Sequence, residues 1–443
     1  MTLRDRRSQR RVRATAGCAG RIARELLWLG GAAIGLLAHG ALADGAPQPA
    51  SPSEASPVPS WWDGVTFSGW LEGGVTGNPD SPGNGINFGQ LYTDRANLPL
   101  LNELDATITR APDSKSSGYD WGFALQLFYG TDIRYGHFFN EFDRSINSRY
   151  QFGIIESDLL VHLPWFSDAG VDVKLGQFPA YLGYEQQAPA GNPLYTHSYI
   201  FNYGDPVGFT GLYAIEHVSP VLDLYLGADL GDLSTIGAKG DNNSAFALAA
   251  GFGLNLMDGK LTLVALTHIG PEHPADLGIP HVNSTMRYFN AITVTWKVSD
   301  RLTLALDTNL LRDDFRGGVE AYGAAEYLSY VLDENLTLQV RAEVYRDNNA
   351  FFVLGAPGNF DLTDFYRGLL NPSGGQDTAY NDGPATYFEA TFGVNFAPAV
   401  PDIIKGTMIR PEIRVDHSAG AKPFDDLTRS YQVTIATDIV IPF

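Results

Sequence analysis

Residues 431–443 read YQVTIATDIVIPF, and this stretch decides the fold class of the chain. One set of its alternating positions is apolar except at Thr437, and the other set is mostly polar. Because alternate side chains of a β-strand point to opposite faces, the stretch predicts a strand with one apolar face and one polar face. A soluble sheet can contain one such strand. A chain that repeats the pattern along its length, with no helix to cover the apolar faces, requires a bilayer.

Similar segments recur from Trp61 to the end of the chain. We read about sixteen short alternating or apolar segments, each roughly nine to fifteen residues long, which suits tilted transmembrane strands. The predicted segments are 65–76, 102–110, 119–129, 149–163, 170–178, 207–217, 221–231, 245–257, 260–269, 286–298, 301–311, 319–332, 335–346, 385–396, 404–417 and 430–443.

The connections between these segments alternate in length. Working back from the C-terminus, tight turns at 397–403, 333–334, 299–300, 258–259, 218–220 and 164–169 alternate with longer loops at 418–429, 347–384, 270–285, 232–244 and 179–206. The pair Asp258-Gly259 is a strong hairpin signal. Short turns on one side and long loops on the other are typical of bacterial outer-membrane barrels, and the alternation puts both termini in the periplasm.

Closure of the sheet follows from the bilayer. Backbone groups in hydrocarbon must pair within the protein, and an open sheet would leave two unpaired edges. A closed barrel of about sixteen strands also encloses a lumen wide enough for water. We therefore predict an all-β, antiparallel transmembrane β-barrel of about 16 strands over residues 61–443, with short periplasmic turns and long extracellular loops.

The first 43 residues resemble a secretory signal peptide. An Arg-rich segment precedes an apolar stretch at 26–42, and Ala41 and Ala43 form a small-x-small cleavage site. The alternative is an N-terminal membrane anchor. Residues 44–60 are rich in Pro, Ala and Ser, which predicts a periplasmic linker. The sole cysteine, Cys18, lies in the signal segment, so the exported chain would have no disulfide or thiolate metal site.

The chain is strongly acidic, with a formal net charge of −20. Because residues 1–43 hold eight Arg against Asp5 and Glu25, cleavage would leave a net charge of −26. Such a charge disfavours nucleic acid as a partner and favours cations. The sequence contains no Gly-x-Ser-x-Gly and no His-Glu-x-x-His motif, so we predict no enzymatic activity and no cofactor.

Several predicted strands carry charged residues on their polar face. A charge on the lipid face costs a few kcal/mol near the bilayer midplane, so we place these residues in the lumen. The predicted pore-lining residues are Asp223, Asp229, Asp307, Gln339, Arg341, Glu343, Arg410, Glu412, Arg414 and Asp416. The alternative for the segment from Arg410 to Asp416 is an ion-pair network that holds the wall.

Aromatic residues near the segment ends predict interfacial belts, and ordinary packing is the alternative for any one of them. The predicted belt residues are Trp70, Trp121, Trp296, Tyr387 and Phe443. The terminal Phe443 also resembles the signal by which outer-membrane barrels are recognised, which makes the barrel-assembly machinery an expected partner.

Three stretches have the order and spacing of a known family: GWLEGGVTGNPDSPGNGINFGQLYTDR at 69–95, FALQLFYGTDIRYG at 123–136 and KLGQFPAYLGYEQQAPAGNPLYTHSYIFNYGDPVGFTG at 174–211. They resemble the beta-barrel porin-2 family, the OmpL-like porins. The resemblance covers essentially the whole exported chain. It implies an outer-membrane channel and supplies no catalytic residues. Thr196-His197 departs from the more basic segment expected there, which leaves the role of that position open.

The loop at 179–206 is the third long loop from the N-terminus. By analogy with general porins, whose third loop folds into the barrel, we predict a constriction formed by this loop. Its residues would be Tyr181, Tyr184, Glu185, Gln186, Asn192 and Tyr199. A surface or packing loop is the alternative.

These observations predict a passive diffusion channel of the bacterial outer membrane for small hydrophilic solutes or ions, favouring cations. Its expected surroundings are outer-membrane lipid, and a homo-oligomer is left open. Two other functions are alternatives: an outer-membrane hydrolase, and a surface adhesion barrel that uses residues 347–384.

Overall fold

The computed structural model describes residues 60–114, 118–138, 141–142, 149–235, 245–273, 281–353 and 384–443. The predicted signal peptide at 1–43 and the linker at 44–60, apart from Ser60, lie outside these residues. The described chain forms one closed antiparallel sheet, in which each strand pairs with the next and β1 pairs with β17.

The strands match the predicted segments closely. They are β1 (Thr66–Gly77), β2 (Pro99–Arg110), β3 (Asp120–Gly130), β4 (Gln151–Leu163), β5 (Val171–Pro179), β6 (Gly208–Ser219), β7 (Leu222–Asp232), β8 (Ala247–Leu256), β9 (Leu261–Pro271), β10 (Met286–Lys297), β11 (Leu302–Asp313), β12 (Val319–Asp333), β13 (Leu336–Asp347), β14 (Ala385–Phe396), β15 (Met408–Ile409), β16 (Glu412–Ala419) and β17 (Tyr431–Pro442).

The segments β15 and β16 are two parts of one barrel strand. Both pair with β14 on one side and with β17 on the other. The break falls at Pro411, which has no N–H to donate to the ladder. The barrel therefore has sixteen strands, and the predicted fold is confirmed.

Helical turns are short. They span Trp61–Gly64, Asp132–Tyr135, Pro189–Gly191, Ile200–Gly204, Val282–Ser284, Phe315–Gly317, Asp402–Ile404 and Phe424–Leu427. Among the residues that the structure describes, no helix has the length and apolar character needed to span a membrane.

The barrel closes at the end of the chain. Residues of β17 pair antiparallel with β1, with Gly73 opposite Ile439. The backbone of Phe443 extends the seam, because its N–H and C=O both bond to Gly69 at 2.9 Å. The predicted closure of the barrel is thus confirmed at this seam.

The two faces of each strand differ in burial. On β13, Arg341 and Glu343 point inward and are almost fully buried, while Val344 points outward and is 41% exposed. Outward residues elsewhere include Leu226, Phe392 and Ile435. The outward surface is thus predominantly apolar, as a lipid-facing surface must be.

Two of the predicted belt residues are wrong. The Trp70 indole faces the interior and donates to Glu103 Oε2 at 2.5 Å, and Tyr387 is fully buried in an interior cluster. Each shares a strand face with inward acids, and that position outweighs the preference of aromatic residues for the interface. Trp121, Trp296 and Phe443 are 42–50% exposed at strand ends, as a belt requires.

Candidate channel interior

The loop between β5 and β6 lies inside the barrel. We call residues 180–207 the inserted loop. Its backbone binds side chains that point inward from distant strands. The Tyr184 N–H donates to Asp307 Oδ2 of β11 at 3.0 Å, and the N–H groups of Tyr199 and Ile200 donate to the Glu343 carboxylate of β13 at 2.6 and 2.8 Å. The loop therefore crosses from its own side of the barrel to the opposite wall.

Arg341 of β13 is the first of three arginines that hold this loop. Its guanidinium donates to Glu185 Oε1 at 2.8 Å, to the Thr196 carbonyl at 2.6 Å and to Glu389 Oε2 of β14 at 2.9 Å. The side chain is completely buried. One wall residue thus binds the loop backbone, a loop carboxylate and a neighbouring strand.

Arg410, between β15 and β16, holds the next part of the loop. Its Nη1 donates to the carbonyls of Pro189, Asn192 and Leu194 at 2.7, 3.0 and 3.2 Å. The other nitrogens pair with Asp438 of β17 and with Glu72 of β1. The arginine thereby joins three loop carbonyls to the strands of the closing seam.

Two residues of β16 complete the attachment. The Glu412 carboxylate accepts the N–H groups of Tyr195 and Thr196 at 2.8 and 3.1 Å, together with the Thr196 hydroxyl. The Arg414 side chain donates to the His197 carbonyl at 2.5 Å and pairs with Asp416. Charge-assisted bonds of this kind are roughly twice as strong as neutral ones, so the loop is firmly fixed.

The charge on Glu185 depends on these contacts. Burial alone disfavours the carboxylate, but Arg341 and a hydrogen bond from His197 outweigh that cost and hold the pKa of Glu185 at about 2. Asp205, near the other end of the loop, has no such cation. Burial, with Asp307 nearby, raises the pKa of Asp205 well above its usual value.

The six predicted constriction residues all lie in the inserted loop. The Gln186 side chain is exposed, and the other five side chains contact the wall or the loop itself. Asn192 clamps the loop through two hydrogen bonds with the backbone of Gln186. The rings of Tyr181, Tyr184 and Tyr199 lie 4.3–4.9 Å from those of Tyr213, Tyr327 and Tyr387, in that order. The three tyrosines therefore pack against the barrel interior.

The ten predicted pore-lining residues all lie on inward strand faces, and nine are at most 5% exposed: Asp229, Asp307, Gln339, Arg341, Glu343, Arg410, Glu412, Arg414 and Asp416. The side chain of Asp223 alone among them keeps 28% exposure. Six of the nine bind the inserted loop directly: Asp307, Arg341, Glu343, Arg410, Glu412 and Arg414.

A polar row at the periplasmic ends of β4–β7 is partly accessible, with only His162 buried among its four residues. His162 Nδ1 lies 2.7 Å from Asp172, His217 Nε2 lies 3.3 Å from the same carboxylate, and His217 Nδ1 lies 2.7 Å from Asp223. Asp172, His217 and Asp223 each keep 28–29% exposure. We call these four residues the periplasmic His–Asp row. Sequence reasoning missed all but Asp223, although Asp172 alternates with apolar neighbours in β5.

One group of three acids among the described residues could hold a cation. Oxygen atoms of Glu72, Glu103 and Asp132 lie within 4.8 Å of one another, and all three residues are buried. Each already accepts a hydrogen bond, from Arg410, Trp70 and Asn102 respectively. The group is thus integrated into the wall beside the inserted loop.

The fold and interior can now be compared with known proteins. The profile of the family described as "Putative beta-barrel porin-2, OmpL-like" matches residues 64–443. The chain belongs to this family. Its membership supports a channel role and an outer-membrane location, and it agrees with the resemblance seen in the sequence. A comparison with curated proteins found no match.

Solved structures of outer-membrane channels share the fold of this porin-family chain. The outer membrane channel DcaP of Acinetobacter baumannii is 12% identical, with a TM-score of 0.52 over 86% of this chain and 97% of its own. OprB of Pseudomonas putida is 13% identical, with a TM-score of 0.52 over 86% and 94%. At these identities the likeness concerns the fold.

Proposed function

We propose that this porin-family chain is a non-enzymatic passive diffusion channel for small hydrophilic solutes, narrowed by the inserted loop and favouring cations. The observation that carries the proposal is the attachment of the loop across the lumen by Arg341, Arg410 and Glu412. A segment fixed in this way reduces the open cross-section, and the fixed geometry makes the size limit sharp.

The passage would run along β4–β7, beside the loop. Asp172, His217 and Asp223 of the periplasmic His–Asp row are 28–29% exposed, whereas the charges on the opposite wall are covered. Lys174 on this side pairs with Glu156 at 2.6 Å. Asp172 and Asp223 supply two accessible carboxylates, and His217 between them supplies at most one positive charge, so the net charge at this wall would be negative.

The arginines do not oppose this cation preference. Arg341 is paired with Glu185 and Glu389, and Arg410 with Glu72 and Asp438. Each guanidinium is therefore matched by two carboxylates and buried. An anion-selective pore would require these positive charges to face the solute, which the covering loop opposes.

The preference can be measured as a reversal potential in a planar bilayer under a KCl gradient. We expect cation selectivity, and the double variant Asp172→Asn, Asp223→Asn should move the reversal potential towards zero because it removes two accessible charges. Asp258→Asn, in the periplasmic turn after β8, is the control with the same chemistry outside the lumen. Anion selectivity of the native protein would contradict the proposed preference.

Two alternative functions, an adhesion barrel and a hydrolase, were considered from the sequence. Adhesion would use residues 347–384, of which 354–383 lie outside the described residues. The hydrolase alternative receives no support from membership of a porin family.

The terminal Phe443 gives a separate prediction about assembly. Its ring is exposed near Phe67 on the outside of the seam, while its backbone closes the ladder with Gly69. Phe443→Asp should strongly lower the amount of folded barrel in the membrane, because a charge replaces the aromatic at the lipid interface. Phe443→Tyr is the control. The measurement is the heat-modifiable band in outer-membrane fractions, and native levels for the Asp variant would contradict the role.

A further inference from the structure

Three tyrosine rings lie along the inner wall beside the passage. Tyr213 of β6 and Tyr225 of β7 point inward, and Tyr181 reaches the same wall from the start of the inserted loop. The Tyr181 and Tyr213 ring centroids lie 4.3 Å apart with an interplanar angle of 24°, and those of Tyr213 and Tyr225 lie 6.1 Å apart at 25°. The three nearly parallel rings form a continuous row, which we call the tyrosine strip.

Glycines allow the rings of this strip to lie against the wall. A Cβ atom at Gly227 would lie 2.8 Å from the Tyr213 ring, and one at Gly253 would lie 2.7 Å from the Tyr225 hydroxyl oxygen. Both rings therefore occupy space that a larger residue would take. Tyr213 is covered by the Tyr181 ring and is 4% exposed, whereas Tyr225 is only partly buried. Tyr225 is thus the ring of the strip that is accessible from the passage.

The tyrosine strip ends at the periplasmic His–Asp row. Tyr225 and Asp223 are successive inward residues of β7, so they lie roughly 7 Å apart along the strand. Ile215 stands opposite Tyr225 on one side and opposite Asp172 of β5 on the other. Only Oδ1 of Asp223 contacts His217, and Oδ2 has no hydrogen-bond partner within the described residues. An accessible aromatic ring and an accessible carboxylate oxygen are therefore neighbours on this wall.

One end of the strip already binds an ammonium group. Lys174 of β5 places its Nζ 5.5 Å from the centroid of the Tyr181 ring, which is within the range of a cation–π interaction. Glu156 and Asp158 lie 2.6 and 3.6 Å from the same nitrogen. The wall thus accommodates an ammonium group between an aromatic ring and carboxylates.

Tyr225 and Asp223 repeat this combination beside the passage. Within the part of the chain that the structure describes, no lysine or arginine lies over the Tyr225 ring. We propose that Tyr225 and the periplasmic His–Asp row form a transit site for organic cations, in which an ammonium group is joined to a flat or apolar body. The ammonium group contacts the Asp223 carboxylate, and the body stacks on Tyr225. This inference rests on the proposed cation preference and adds the class of solute.

The polar groups of the site select a positive charge. The carboxylates of Asp172 and Asp223 accept hydrogen bonds, and an ammonium group only donates them. An anion with the same apolar body is repelled by both carboxylates. A neutral sugar can also stack on an aromatic ring, but it lacks the charge that the carboxylates attract. The ring in turn favours an organic cation over a small cation that has no apolar body.

Block of the potassium current measures this binding. Phenethylammonium, added to native channels in a planar bilayer at fixed KCl concentration, should reduce the current at a half-blocking concentration about threefold or more below that of methylammonium. Phenylacetate, which carries the opposite charge on the same kind of body, should block more weakly than phenethylammonium. Stronger block by phenylacetate or by methyl glucoside than by phenethylammonium would overturn the proposed solute class.

Variants of Tyr225 test the role of the ring. Tyr225→Leu should raise the half-blocking concentration of phenethylammonium about threefold, because the stacking surface is lost. Tyr225→Phe keeps the ring and should retain the block, and Tyr322→Leu, on the lipid-facing surface, is the control for loss of a tyrosine elsewhere. Heat-modifiable migration verifies that each barrel is folded. Native block in Tyr225→Leu, or its loss in Tyr225→Phe, would contradict stacking on this ring.

The reversal potential in KCl separates this inference from the proposed function. A native channel that is cation-selective in KCl, but that phenethylammonium blocks no better than methylammonium, would refute the transit site and leave the proposed cation preference intact. Anion selectivity in KCl would instead refute the preference on which the transit site rests.

Discussion

Deletion of residues 185–192 is expected to raise the single-channel conductance about twofold or more, because a substantial part of the inserted loop is removed from the lumen. The deletion takes away Glu185, the turn at Pro189–Gly191 and two of the three carbonyls that bind Arg410. The wall should survive, since Arg341 keeps Glu389 and Arg410 keeps Asp438. The measurement is conductance in planar bilayers at fixed KCl concentration.

A variant with a loop of equal length distinguishes the effect of the loop's volume from the effect of its attachment to the barrel wall. Replacing 185–192 by a Gly/Ser segment keeps eight residues in the loop but removes the Glu185 carboxylate and the Asn192 clamp. We expect intermediate mean conductance with larger current fluctuations, because the loop is no longer held in one position. Conductance equal to that of the native protein in the deletion variant would show that this loop does not narrow the passage.

The faces of the strands could be predicted from the sequence because they depend only on alternation. Arg341 and Glu343 point inward as expected, since a one-residue shift would place charges in lipid. Segment 404–417 was predicted as one strand because the residues on both sides of Pro411 alternate in the same way. The proline is visible in the sequence, but the alternation alone did not indicate that it interrupts the strand.

The covering of the interior charges could not be predicted in this way. Glu185 and Arg341 are 156 residues apart, and no local pattern indicates that they meet. Alternation distinguishes inward from outward, but it does not show whether an inward charge meets water or another segment. For this reason most of the predicted wall charges are buried, while Asp172 and His217 were overlooked.

On the lipid-facing surface, the sequence did not show which polar residues point outward. Thr437 interrupts the apolar series of segment 430–443, and the structure places it outward on β17, between Tyr431 and Phe443 on the same face. Glu326 lies among apolar and small residues on β12. Only the pairing of β12 with β11 and β13 establishes that it points away from the lumen.

Arg410→Met is expected to lower the stability of the barrel and to release the inserted loop. The variant removes hydrogen bonds to three loop carbonyls and leaves the buried Asp438 and Glu72 without their cation. Breaking a buried pair by removing one partner typically costs about 3–5 kcal/mol. The folded band should therefore convert to the unfolded band at a lower temperature in heat-modifiable migration, and current fluctuations should increase.

Two controls separate the stability effect from the loop effect. Arg312→Met removes an exposed arginine, paired with Asp314 at 3.2 Å, and should change little because surface ion pairs contribute roughly 0–1 kcal/mol. Combining Arg410→Met with Asp438→Leu should recover part of the stability, since a buried unpaired carboxylate is removed. The double variant should not reduce the current fluctuations to the native level, because the carbonyls of Pro189 and Asn192 still lack their donor. Quiet currents in both Arg410 variants would mean that the loop is held without Arg410.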